Sequence, residues 1–150
     1  MTICILDTSV LCELLDVPNK ASQHETIVAE FELRAKRNEK FLLPIAVVIE
    51  TGNHIAQNGD GQRRRRIAAK FVMLVETALD DKSPFTLTPM PSPDRIREWL
   101  TSFPDDATTG LGLADRSVID LFNEQCERHP QRMIYIWSLD NHLRGYVRDV

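Results

Sequence analysis

No apolar run in this chain approaches membrane-spanning length. No basic region precedes the first apolar stretch, and Asp7 interrupts it, so the amino terminus does not read as a secretion signal and a cytoplasmic location is expected. No low-complexity block and no internal repeat occurs, and 43% hydrophobic with 27% charged residues describes a chain that folds throughout. Cys4, Cys12 and Cys126 are an odd count without paired metal-ligand spacing, which predicts reduced structural thiols rather than a disulfide framework. His24, His129 and His142 share no ligand spacing either, which disfavours zinc. Aromatic residues do not interleave with the basic ones, so Trp99 and Trp137 read as packing residues rather than base-stacking platforms.

What is present suits one domain, since 150 residues can bury a proper core and are too few for two ordinary ones. The net charge of -4 opposes a nucleic-acid role only if it is evenly spread. It is not. Between residues 61 and 79, Arg63, Arg64, Arg65, Arg66 and Lys70 face a single acid, Glu76. That window admits two readings, a solvated helix face or an RNA-contacting patch, and four consecutive arginines cannot all face one ligand.

Hydrophobic spacing outlines alternating strands and helices. Ile3 to Leu6 read as a buried strand, 8–16 as a short helix, and 21–38 as an amphipathic helix with Ile27, Phe31 and Leu33 or Ala35 inward. Phe41 to Leu43 form a second strand, and Pro44 opens a helix carrying Ile45, Val48, Ile49 and Glu50. After the turn at 58–61, Ile67, Phe71, Leu74, Val75 and Ala78 recur at helical spacing, and a third strand falls at Phe85 to Leu87. A short helix near Ile96 to Leu100 leads into a loop over 103–112, then a longer helix follows on Leu111, Ala114, Val118, Leu121 and Phe122. Met133 to Trp137 is the last strand expected, because the ten residues after Asp140 leave little room for an edge strand. Strands separated by helices imply a three-layer α/β/α sandwich on a parallel sheet of four to five strands. Functional residues in such a fold collect beyond the carboxyl ends of the strands.

Asp7 and Asp140 satisfy that rule, while Glu50 and Asp115 lie on helices among apolar neighbours. Each acid alone has an ordinary explanation: Asp7 as a helix cap, Asp140 as a turn opener, Glu50 and Asp115 as surface positions. Asp115 nevertheless shares its helix face with Val118, Ile119 and Phe122, whereas Asp120 points about 140° away and falls outside the set. If the four acids converge, their repulsion calls for a cation, and hard oxygen ligands select magnesium or manganese. Asn53 and His54 share the Glu50 face and read as polar surface or as support for the site.

The segments ILDTSVLCELL, LPIAVVIETGNHI, GLGLADRSVIDLF and IYIWSLDNHLRGY resemble, in order and over essentially the whole chain, the four signature segments of PIN-domain proteins. The resemblance implies a parallel-sheet α/β/α fold and a magnesium- or manganese-dependent ribonuclease that hydrolyses RNA phosphodiester bonds. Its four acids match Asp7, Glu50, Asp115 and Asp140, as metal-site and catalytic residues, and Ser9 takes the place of the hydroxyl that steadies Asp7 or a metal-bound water. Small bacterial members are often toxins with an antitoxin protein partner, and commonly dimerise. The Glu50 to Asp115 interval is somewhat longer than in compact toxin-type members, so a stand-alone nuclease stays open beside the toxin. Arg116 and Arg144 join the arginine run as candidate phosphate contacts.

Three other classes are weighed. An aspartyl-nucleophile phosphatase needs a second acid two residues after Asp7, where Ser9 stands. A response-regulator receiver needs paired acids near its first strand, and only Asp7 is there. A PIN-fold protein acting mainly as a non-catalytic RNA- or protein-binding partner is the remaining alternative, because a fold does not fix a function.

Overall fold

Ile3, Cys4, Ile5 and Leu6 are all buried, the continuous apolar pattern of a strand covered on both faces. In the computed structural model, which describes residues 1–150, this strand is the centre of the sheet. The elements follow as β1 Ile3–Leu6, α1 Thr8–Leu15, α2 His24–Lys36, β2 Lys40–Leu43, α3 Ile45–Gln57, α4 Gly61–Leu79 and β3 Phe85–Leu87. The remainder are α5 Pro93–Thr108, α6 Leu113–Arg128, β4 Ile134–Trp137 and β5 Val147–Arg148.

The five strands run in the order β3-β2-β1-β4-β5. β1 pairs in parallel with β2 on one side, where Ile3 faces Lys40, and with β4 on the other, where Ile3 faces Ile134. The chain therefore moves outward through β2 and β3, then returns to the opposite side of β1. That reversal makes a topological switch point between β1 and β4, the place where open α/β sheets form a crevice beyond their strand ends. The expected α/β architecture is thus present, with six helices flanking a mostly parallel sheet.

One cluster of 27 buried apolar residues forms the core. Phe31 of α2, Phe41 of β2 and Phe85 of β3 pack mutually, with ring centroids 4.9, 5.3 and 5.7 Å apart, which fixes α2 against the outer strands. Ala35 packs on the core while Leu33 is 49% exposed, so the face of α2 is settled in favour of Ala35. Trp137 is buried beneath the Arg34 guanidinium, 4.0 Å from the ring centroid.

The structure differs from the sequence reading in two elements. α5 continues to Thr108 through much of the expected loop, despite Pro104 inside it. Proline deprives the Leu100 carbonyl of its helical donor, but α5 buries no residue and Leu100 is 53% exposed, so the loss falls at the surface. Gly110, at φ 81, then turns the chain into α6. The second difference is β5, a two-residue strand antiparallel to β4, which makes the sheet mixed. Arg148 holds it in place: its guanidinium donates to the Cys126, His129 and Arg132 carbonyls, capping the carboxyl end of α6.

Glu13 does comparable work at the other end of the chain. It is 2% exposed, and its Oε1 and Oε2 accept from the Ser22 and Gln23 amides at 2.6 and 2.7 Å. Gln23 makes no cap bond with its own side chain, so a carboxylate from α1 caps the start of α2. No helix is long and apolar enough to cross a membrane.

Candidate active site

Asp7 occupies the N-cap position of α1 yet makes no cap hydrogen bond, so capping does not explain it. The residue is 6% exposed. Its Oδ2 accepts from Ser9 Oγ at 2.9 Å and from Ser138 Oγ at 2.7 Å, while Oδ1 has no hydrogen-bond partner and is not fully enclosed. Each serine is itself oriented from β4's carboxyl end, Ser9 Oγ accepting from the Leu139 amide and Ser138 Oγ from the Asp140 amide, both at 2.9 Å. Two hydroxyls thus lock one carboxylate oxygen and leave the other available, bridging the ends of β1 and β4 across the switch point.

Asp140 Oδ1 accepts from the His142 amide at 2.9 Å, so this acid does open the following turn. Asp115 stands in the first turn of α6, where its Oδ2 accepts from the Gly112 amide at 3.3 Å. Glu50, on the face of α3 toward α1, remains 43% exposed and has His54 Nε2 at 3.7 Å. All four acids line one cleft of about 200 Å³, together with Thr8, Ser9, Cys12, Lys20 and His54.

Electrostatic coupling among these groups follows from their placement. Burial raises the Glu50 carboxyl above its ordinary range, the Asp7 charge adds to the rise, and His54 opposes it. Burial likewise raises Asp115, with Asp7 and Asp140 adding to the effect against the Gly112 amide. Cys12 is pushed up to about 11, by burial first and by Glu50 second, so it is a neutral thiol in the cleft wall rather than a nucleophile.

The donor set consists of hard oxygens, the chemistry that magnesium and manganese prefer. As placed, no three His, Cys, Asp or Glu side chains close on one point tightly enough to hold a metal ion. Mutual repulsion favours that spread, and magnesium retains several waters and takes few direct protein ligands. Thr8 stands in the same wall, 7% exposed, with its Oγ1 buried and without a hydrogen-bond partner, a condition shared by Thr51 Oγ1 outside the cleft. Hard oxygens spread over an open cleft suit a hydrated cation, which Asp7, Asp140, Asp115 and Glu50 would hold largely through its water shell.

The basic candidates lie elsewhere. Arg63, Arg65 and Arg66 are exposed at the start of α4, Arg64 is half-buried and donates to the Gly59 carbonyl at 2.7 Å, and none lines the acid cleft. Arg64 and Arg65 instead edge an open apolar hollow of about 690 Å³ between α3 and α4. Arg116 is committed to Asp106, through Nε and Nη2 at 2.7 Å each. Asp120 accepts from Arg95 and from the Trp99 indole, in the wall of a third hollow of about 360 Å³. The acid cleft is the smallest of the three, but it alone gathers coupled titratable groups at the switch point.

Thr8, Lys20 and Ser138 escaped the sequence reading. Ser138 stands two residues before Asp140 at a strand end, and that spacing is the one signal that could have found it. Comparison with family models, with curated proteins and with solved structures finds no match to this chain.

Proposed function

We propose that the chain is a metal-dependent endoribonuclease of the PIN type. The observation that carries the reading is the cleft itself, in which Asp7 and Asp140 at the switch point meet Glu50 and Asp115 from two helices. RNA as substrate comes from the resemblance of the four acid-bearing segments to that family. When bound, magnesium or manganese supplies Lewis acidity toward an attacking water and neutralises charge developing on the phosphate.

The chain's own residues do the rest. Ser9 and Ser138 fix Asp7 through Oδ2, so that its Oδ1 would be the oxygen left to hold the cation. Asp140 is steadied by the His142 amide and Asp115 by the Gly112 amide, so three of the four acids are oriented before any ligand arrives. Glu50, half exposed with a raised pKa and His54 beside it, is placed to take and release a proton at the cleft mouth. No side-chain nucleophile is required, in keeping with the neutral Cys12 thiol.

The test is cleavage of end-labelled single-stranded RNA by purified protein. Cleavage is expected with magnesium or manganese, and loss is expected with EDTA and in Asp7→Asn. Equal rates in the wild type and that variant, or activity surviving EDTA, would sink the mechanism. The toxin form of the reading further expects a small neighbour-encoded protein that co-purifies and inhibits; activity untouched by that protein assigns the chain to the stand-alone class.

A further inference from the structure

Five arginines in this chain sit within 4 Å of a carboxylate: Arg34 with Glu30, Arg95 with Asp120, Arg97 with Asp94, Arg116 with Asp106 and Arg128 with Glu124. None of the five lysines forms such a pair, and Lys20 is the one that lines the cleft of four carboxylates, its ammonium paired with none of them. Its backbone is fixed. The Lys20 amide donates to the Val17 carbonyl at 3.0 Å, and the preceding Asn19, at φ 64, is tied through Nδ2 to Asn58 Oδ1 at 3.2 Å. The backbone therefore starts this exposed lysine beside the acids and leaves its side chain free.

A second donor in the same wall is also unused. Thr8 lines the cleft, is 7% exposed, and has a buried hydroxyl that bonds to nothing. Carboxylates are acceptors only, so a cleft stabilised purely from within would draw both donors onto them. Two idle donors among four acceptors point to a ligand that brings acceptor oxygens of its own.

We propose that Lys20 and Thr8 form a phosphate subsite in which Lys20 Nζ binds a non-bridging oxygen of a nucleic-acid phosphodiester and Thr8 Oγ1 donates to the same group. The inference rests on the nuclease reading and adds to it how a polyanion is held in an acidic cleft. Lys20 acts as a compact point charge that offsets the carboxylates on the substrate side, while the cation does so on the acid side. Thr8 Oγ1 is shielded from solvent, so its contact requires the Thr8 side chain to turn or its neighbours to move aside as the phosphate enters.

The experiment is equilibrium binding of a fluorescently labelled single-stranded RNA across a salt series, with calcium in place of magnesium. Lys20→Met is expected to weaken binding about tenfold or more and to flatten the slope of log affinity against log salt by about 0.7, one single-strand phosphate contact. Lys20→Arg is expected to restore both. Manganese binding by Lys20→Met, followed by electron paramagnetic resonance, is expected to tighten, because a cation has left the cleft. Thr8→Val is expected to weaken RNA binding about fivefold while raising Tm, since it removes an unsatisfied buried hydroxyl. Thr8→Ser is expected to bind as the wild type does. A purely structural lysine would leave the salt slope unchanged, and an unchanged slope in folded Lys20→Met overturns the proposal. RNA affinity at the wild-type level in Thr8→Val removes Thr8 from the subsite. These readouts need no cleavage, so a wild type that fails to cut RNA with magnesium or manganese refutes the nuclease reading separately.

Discussion

Two buried carboxylates sit six residues apart at opposite ends of α1, and they differ in what their oxygens have left to do. Glu13 is 2% exposed and both its oxygens accept backbone amides from the start of α2. Asp7 is 6% exposed, but both its hydrogen bonds fall on Oδ2, leaving Oδ1 for a ligand. Burial of an acid therefore does not mark a functional site. The mark is an oriented acid with acceptor capacity in reserve, next to other acids that share its cleft.

The largest effects separate these two residues most sharply. Asp7→Asn is expected to lose more than about a hundredfold in cleavage rate, beyond the loss typical of a residue that only orients a ligand, with Tm at or above the wild-type value. Glu13→Ala is expected to show the reverse, losing about 3 kcal/mol of stability with two charged hydrogen bonds and keeping its activity per folded molecule. Urea titration and a cleavage assay on the same preparations check both. A Glu13→Ala that is stable but inactive would erase the distinction.

Ser138→Ala tests whether orientation of Asp7 matters, and its rate is expected to fall about tenfold. An unaltered rate would assign Ser138 to packing alone. The pH dependence comes next. Glu50 and Asp115 have folded-state values above their ordinary 4.5 and 3.8. Their contribution to stability is present below that range and is lost as pH rises through the raised values, because the folded state then holds more protons than the unfolded one. A divalent cation that relieves the repulsion is expected to raise Tm at about pH 7 more than at about pH 4. Equal shifts at both values, read by thermal melts, would detach the cation from these two acids. The smallest effect is expected from replacing Arg63, Arg64, Arg65 and Arg66 by Gln, which should flatten the salt dependence of RNA binding without changing the rate at saturating RNA. An unchanged slope would leave the run as a solvated helix start.

The sheet was legible because its strands carry unmistakable runs: ICIL in β1, KFLL in β2 and IYIW in β4. β5 was not, since two residues, Val147 and Arg148, carry no period, and the Arg148 guanidinium that secures them reads from sequence as ordinary surface charge. The extent of α5 was hidden by Pro104, a breaker that this helix accommodates at the surface, where no residue of it is buried. In the cleft, Asp7 and Asp140 stood out because an acid directly after an apolar strand, or three residues beyond one, is conspicuous. Glu13 was invisible because an acid within a helix resembles any surface position until the chain folds back over it. Thr8, Lys20 and Ser138 were missed for a related reason: hydroxyls and lysines are common, and only their neighbours in space give them a role.

The bond from Ser138 to Asp7 joins residues separated by 131 positions. β1, which precedes the other strands, reaches its β4 neighbour only after every other parallel strand has been made. Contacts of such long range close late in folding. A chain growing on a ribosome would thus carry Asp7 without Ser138 or Asp140 until α6 and β4 have been made. Assembly of the cleft is timed by translation itself, because Ser138 does not exist until 131 positions after Asp7 and Asp140 follows two residues later.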